Sequence, residues 1–298
     1  MLENKRLKDW LFRYQYIYKI RKNIKSKERF ITALVADIMD MRNDLQVIEY
    51  GESKKERLKN IYVGDIEQAD RIICAHYDTP VKTLSSYIFF DKKRAKNKTS
   101  IFILISSILM VLFGLGLTLV YKEIALNQFQ LLSLSTLLIA VIYAFYFYFL
   151  NKISRGIPER NNLIRNTSSI LTLLALIKEI KDDKTAFVFY DRGVYGTVGL
   201  QLVEQANAKN ASIYVLDSIG SDASLYLIGK DFTKQQAEQS GMIYEMNNKF
   251  NYNYLISARR AEIDGVQKYY LSRSDLKQKE LNMENINKII ALFNNKER

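Results

Sequence analysis

The sequence predicts an α/β fold in which a mostly parallel, mixed sheet is sandwiched by helices and interrupted by a two-helix transmembrane hairpin. Three observations carry this reading. Strand-like and helix-like runs alternate through the second half of the chain, as in folds whose parallel strands are joined by helices. Within the strand-like run Arg71 to Ala75, residues 72–75 are apolar on both faces, as a central strand covered by helices must be. Ahead of that second half lie two adjacent charge-free stretches of membrane length.

In chain order, residues 1–25 form a basic aromatic N-terminal segment, with Trp10, Phe12, Tyr14, Tyr16, Ile17, Tyr18 and Ile20 along a basic helix. Two readings stand side by side: an interfacial helix on a membrane surface, or a helix packed on the domain with a solvated basic face. Residues 26–98 are the first part of the soluble domain. Ser26 to Met41 has helical spacing, with Phe30, Leu34, Ile38 and Met41 on one face and Ser26 as its cap. Strands follow at Leu45 to Tyr50, Leu58 to Val63 and Arg71 to Ala75.

Residues 99–151 are the hairpin. Ile101 to Tyr121 carries no charge over 21 residues, about the ~30 Å of a hydrocarbon core at 1.5 Å per residue. Leu131 to Leu150 repeats the pattern and ends in Tyr143, Phe145, Tyr146, Phe147 and Tyr148, which suit a headgroup boundary. Small residues Ser106, Ser107, Gly114, Gly116, Ser133 and Ser135 allow close helix packing. The outer flanks carry Lys92, Lys93, Arg94, Lys96 and Lys98 on one side, and Lys152 and Arg155 on the other. Read by the excess of positive charge on cytoplasmic loops, the protein is a two-pass protein of the cytoplasmic membrane. Its soluble part and both termini are then cytoplasmic, and the flanking cations meet phospholipid headgroups.

Residues 152–298 are the second part of the domain. Helices are expected at Thr167 to Ile180, Tyr195 to Ala206, Thr233 to Asn247 and Met283 to Phe293. Strands are expected at Thr185 to Tyr190, Ser212 to Leu216, Ser224 to Ile228 and Val266 to Leu271. Neither half carries enough strands to close a core, so the two should build one sheet.

A hydrophobic content of 48% excludes disorder. The net charge of +12 is concentrated in residues 1–30 and 91–98, which favours an anionic membrane surface over nucleic acid as the partner. The single cysteine, Cys74, precludes an internal disulfide, and no cleavable leader is expected at the N-terminus. Cys74 shares a strand face with His76, the only histidine, but a cysteine in a central strand is ordinarily packing.

Five short segments in order resemble the zinc-dependent aminopeptidase family, which includes bacterial aminopeptidases, glutaminyl cyclases and the non-enzymatic transferrin receptor and nicastrin. KNIYVGDIEQADRIICAHYDTP resembles its paired strands ending in a His-x-Asp motif. RNTSSILTLLALI resembles its DNASG-plus-helix segment, and FVFYDRGVYGTVG its FxFFDGEExGLxG. YVLDSIG resembles NLDMIG, and YYLSRSDLKQKELNMENI resembles YHTxxDTxxxIDxENI. The resemblance runs from Ser26 to the C-terminus with the hairpin excluded.

What the resemblance implies is a two-zinc site in which a metal-activated water attacks a peptide carbonyl. On this chain His76 and Asp217 stand at ligand positions, and Asp78 at the aspartate that orients the first histidine. Arg165 stands at the bridging aspartate, or Asn166 if the match slips by one. Gly193 and Val194 stand at the base and ligand glutamates, and Leu271 at the last histidine. These replacements remove the base and most of the ligands. Arg165 is expected either to take the cation's place beside Asp217 or Asp78, or to point to headgroups.

The expected function is therefore a membrane-anchored, catalytically inactive member of the fold. It would need no cofactor and would bind another membrane protein or a peptide, with its degenerate pocket towards the bilayer. The alternative is a residual zinc-dependent hydrolase using His76, Asp78 and Asp217.

Overall fold

The computed structural model describes residues 5–53, 57–128, 133–247 and 250–294. It divides into two units. The first comprises Met1–Pro80, Ser86–Lys92 and Glu159–Arg298, and the second comprises Val81–Ser85 and Lys93–Pro158.

The chain begins with α1 (Lys5–Phe12), a π-helical turn (Arg13–Ile17) and α2 (Ile24–Met39), then β1 (Leu45–Tyr50), β2 (Leu58–Val63), β3 (Arg71–His76) and β4 (Tyr87–Ile88). Two long helices follow, α3 (Lys92–Gln128) and α4 (Leu134–Ser154). A second π-helical turn (Leu163–Thr167) leads into α5 (Ser168–Glu179), β5 (Thr185–Tyr190), α6 (Val198–Ala206), β6 (Ser212–Asp217) and β7 (Ser224–Ile228). The remainder is α7 (Lys234–Gln239), β8 (Ile243–Glu245), β9 (Asn253–Ile263), β10 (Val266–Leu271), α8 (Arg273–Leu276) and α9 (Met283–Asn294).

The strands form one mixed sheet in the order β1-β2-β5-β3-β6-β9-β10-β4, with β7 also pairing β9 and β8. β5, from the second half of the sequence, lies between β2 and β3, from the first. It is antiparallel to β2 (Ile61 opposite Phe189) and parallel to β3 (Cys74 opposite Val188). The two halves therefore share one sheet, as the strand count requires. β3, β5, β6 and β9 run parallel, so residues 76, 190 and 217 end up at one edge.

Alternation along β3 assigns its two faces. Ile73 and Ala75 join Phe187 and Phe189 under Ile170, Leu173, Leu174 and Ile177 of α5. Ile72 and Cys74 join Ala186 and Val188 under Leu200 and Val203 of α6. Ten residues of α5 are buried, among them Thr172, whose hydroxyl donates to the Ser168 carbonyl at 2.9 Å.

Several expectations need correction. The helix expected over 233–247 stops at Gln239, and Ile243–Glu245 turns into β8 beside β7. β9, eleven residues long, was not expected, nor was the short β4. The cap of α2 is Asn23, whose side chain accepts from Ser26 N, while Ser26 closes a reciprocal capping box. In the N-terminal segment Leu7, Trp10 and Tyr14 enter the core, whereas Phe12, Tyr16 and Ile17 stay exposed.

In the second unit, α3 and α4 are long and apolar enough to cross a membrane. Their apolar side chains are not a soluble core: Leu109 is 61% exposed and Phe113 58%. Tyr146 lies over Gly114, where a Cβ would come within 2.3 Å of its hydroxyl. Thr118 and Tyr143 share a hydrogen bond of 2.6 Å. Gly116 faces open space. Lys93, Lys96, Lys98, Lys152 and Arg155 are exposed in this unit, and Lys152 lies over the ring of Tyr148.

Candidate functional site

The candidate site is built at the carboxyl ends of β3, β5 and β6, the edge at which open parallel sheets hold ligands. His76 ends β3, and its ring Nδ1 lies 3.1 Å from Asp78 Oδ1 and 3.0 Å from Asn166 Nδ2. Asn166 Nδ2 donates to the His76 carbonyl at 2.6 Å. An ionised Asp78 accepts from Nδ1–H.

Asp78 is buried and fully engaged. Its carboxylate accepts from the backbone N–H of Gly193 at 2.9 Å and of Val194 at 3.2 Å. Burial alone would raise its pKa. The hydrogen bond and charge interaction with His76, the charge of Lys27 and the Val194 N–H outweigh burial and hold it down, at about 2. Gly193 packs against His76 so tightly that a Cβ there would lie 2.3 Å from His76 Cβ. Neither alanine nor glutamate fits this backbone. Val194 is buried, and so is Leu271, which pairs with Tyr87 across β10 and β4.

Asp217 ends β6. Tyr87 donates its hydroxyl to Asp217 Oδ2, and Ser218 donates to Oδ1 at 2.8 Å. The guanidinium of Arg165 stacks over the Tyr87 ring, 4.1 Å from its centre. Among the described residues Arg165 makes no ion pair with Asp217 or Asp78, so the direct contact entertained above is replaced by one relayed through Tyr87. Among the described residues its buried Nε has no hydrogen-bond partner. Burial raises the Tyr87 hydroxyl well above its ordinary pKa; Asp217 adds to this and Arg165 opposes it.

Lys92 was expected among the headgroup-facing cations. Its ammonium instead donates to the Gly193 carbonyl at 2.6 Å and interacts electrostatically with Asp217, Asp78 and Arg165. Two cations thus accompany the two carboxylates.

Beneath this cluster lies Arg21, fully buried. It donates to Tyr77 O at 2.7 Å, Tyr18 O at 3.0 Å, Thr167 Oγ1 at 3.0 Å and Asn166 Oδ1, and it stacks on Phe30. Arg21 therefore fixes Asn166, which in turn fixes His76. Lys27 bonds Asp191 at 2.6 and 2.8 Å and ties α2 to the turn that carries Gly193. Burial, then Asp78, raise the pKa of Asp191 against the pull of Lys27. Cys74 is buried among apolar side chains and burial pushes its thiol up, which leaves it unsuited to act as a nucleophile. Sequence reasoning missed Arg21, Lys27, Tyr87 and Asp191. Only the Tyr-x-Phe alternation near residue 87 carried a signal, that of a short strand.

The fold is that of zinc exopeptidases and glutaminyl cyclases. No family model and no curated protein matches the sequence. Solved structures do. A glutaminyl cyclase from Tannerella forsythia superposes with a TM-score of 0.54 at 11% identity, covering 98% of each chain. A Zn-dependent exopeptidase from Parabacteroides distasonis gives 0.54 at 10% identity, covering 97% of this chain and 98% of that one. The LapA aminopeptidase of Legionella pneumophila gives 0.50 at 10% identity, covering 97% of this chain and 69% of its own. At such identities the likeness is one of fold.

The side chains at the site do not fit zinc. Both oxygens of Asp217 already accept hydroxyl hydrogens, Asp78 is spent on His76 and two backbone N–H groups, and Lys92 and Arg165 bring positive charge beside them. Among the described residues no group of three or more His, Cys, Asp or Glu side chains is placed to hold a metal ion.

Proposed function

We propose that this chain is a membrane-anchored protein that uses the aminopeptidase fold for binding rather than hydrolysis, as a scaffold or recognition subunit for a peptide or another membrane protein. One observation carries the reading: Lys92 interacts with Asp217 and Asp78, and Arg165 stacks on the Tyr87 ring that donates to Asp217, so positive charge sits where the fold's enzymes would need ligands and a base. A metal-activated water needs an open coordination position and a proton acceptor. Gly193, packed against His76, supplies neither. The anchoring rests on the two apolar helices, and the cytoplasmic placement of the soluble unit on the lysines and arginines flanking them. The alternative, a residual hydrolase on His76, Asp78 and Asp217, differs in a measurable way. The full chain, purified in mild detergent, should hydrolyse an aminoacyl p-nitroanilide no faster than its Asp217→Ala variant, while a partner co-purifies from membranes. Hydrolysis that disappears in Asp217→Ala would establish the enzyme instead.

A further inference from the structure

A cleft of about 850 Å³ opens at the start of α2. Its wall holds Lys22, Lys25, Lys27, Arg29, Arg57 and Arg192, and among the described residues no acidic side chain lines it. Among the described residues, Lys27 pairs with Asp191 and Arg57 with Glu49 at 3.1 Å, both carboxylates lying outside the wall. Lys25 and Arg29 are exposed and make no ion pair among the described residues. Like charges gathered in a concave surface focus a positive field there. Burial lowers the pKa of Lys22, a sign that the crowding is partly desolvated.

The backbone adds to this field. The capping box commits Ser26 N to Asn23 Oδ1, and Lys27 N bonds Asn23 O at 3.0 Å. Ile24 and Lys25, whose N–H groups lie in the first turn at the positive end of this 16-residue helix, line the same cleft. Arginine forks, lysine ammonium groups and open helix N–H groups together match the tetrahedral oxygens of a phosphoryl group.

We propose that this cleft is a binding site for a phosphate-bearing anion, held by Lys25 and Arg29 with the first turn of α2. The shared chemistry is a phosphate carrying at least two charges, either on a phospholipid headgroup or on a soluble metabolite. Lys25 and Arg29 do not belong to the His76–Asp217 cluster, so the proposal does not depend on whether that cluster is catalytic.

The test is calorimetric titration of the full chain in neutral detergent, in about 0.15 M salt so that diffuse attraction is screened. The probes are inorganic pyrophosphate, dihexanoyl phosphatidic acid and, as a control, dihexanoyl phosphatidylcholine. Saturable binding of an anionic probe is expected. It should weaken about tenfold or more in Lys25→Gln/Arg29→Gln, with an unchanged thermal midpoint in the absence of ligand. Tighter binding of phosphatidic acid assigns a headgroup, and tighter binding of pyrophosphate assigns a soluble ligand. The proposal is overturned if neither anion binds, if the double variant binds as well as the parent, or if phosphatidylcholine binds as well as phosphatidic acid.

Discussion

Arg21 heads the fully buried side chains by size, and it is charged. A buried guanidinium is tolerated only when its donors are satisfied, and here the acceptors are Tyr77 O, Tyr18 O, Asn166 Oδ1 and Thr167 Oγ1. Arg21→Met removes the charge but leaves those acceptors unpaired. It should destabilise the fold by about 1–3 kcal/mol, read from urea unfolding of the detergent-held chain by fluorescence of Trp10, the only tryptophan. A loss below about 1 kcal/mol would show that the network is not structural. Asp78 makes a pH-dependent contribution. Its pKa is held at about 2 against an ordinary 3.8, so the stabilisation is complete above about pH 4 and is lost as pH falls towards 2. The amount is about 2 kcal/mol. Asp191, whose pKa is raised, acts in the opposite sense: its contribution is present at low pH and lost as pH rises through its folded value. Asp78→Asn should therefore flatten the fall in stability between pH 4 and 2, and an unchanged slope would contradict the assignment.

At the scale of elements, the hairpin offers a paired control. Gly114 and Gly116 are two residues apart on α3, yet only Gly114 meets Tyr146 of α4. Gly114→Leu should force the helices apart and lower the thermal midpoint in detergent, whereas Gly116→Leu should leave it unchanged. Equal effects would mean that α3 and α4 do not pack as described. Elements with one dominant pattern were legible from sequence. Ile72 to Ala75 announced a doubly covered strand, and residues 167–180 announced a helix, though an amphipathic one rather than one with ten buried residues. β9 was not legible, because Arg259 and Arg260 interrupt its alternation; Arg259 instead answers the buried Asp275 at 2.9 Å. α7 ended early because strand pairing of Ile243–Glu245 with β7 overrode local helical preference. Lys92 was misread for a physical reason. Counting flanking charge gives the sign at a helix start but not the direction in which a side chain reaches. Asn166 and Arg165 are neighbours, and only the π-helical turn that carries them decides which one meets His76.

For the molecule as a whole, the sheet shared by both halves of the sequence brings His76, Asp78 and Asp217 to one edge. The chain places Lys92 and Arg165 beside them. On the function proposed above, these cations stand where a metal would otherwise balance the carboxylates. The most direct test is metal content. The full chain in mild detergent, dialysed against zinc and then against buffer, should retain well below one equivalent, and His76→Ala should retain the same. One or more equivalents held by the parent and lost in His76→Ala would contradict the account.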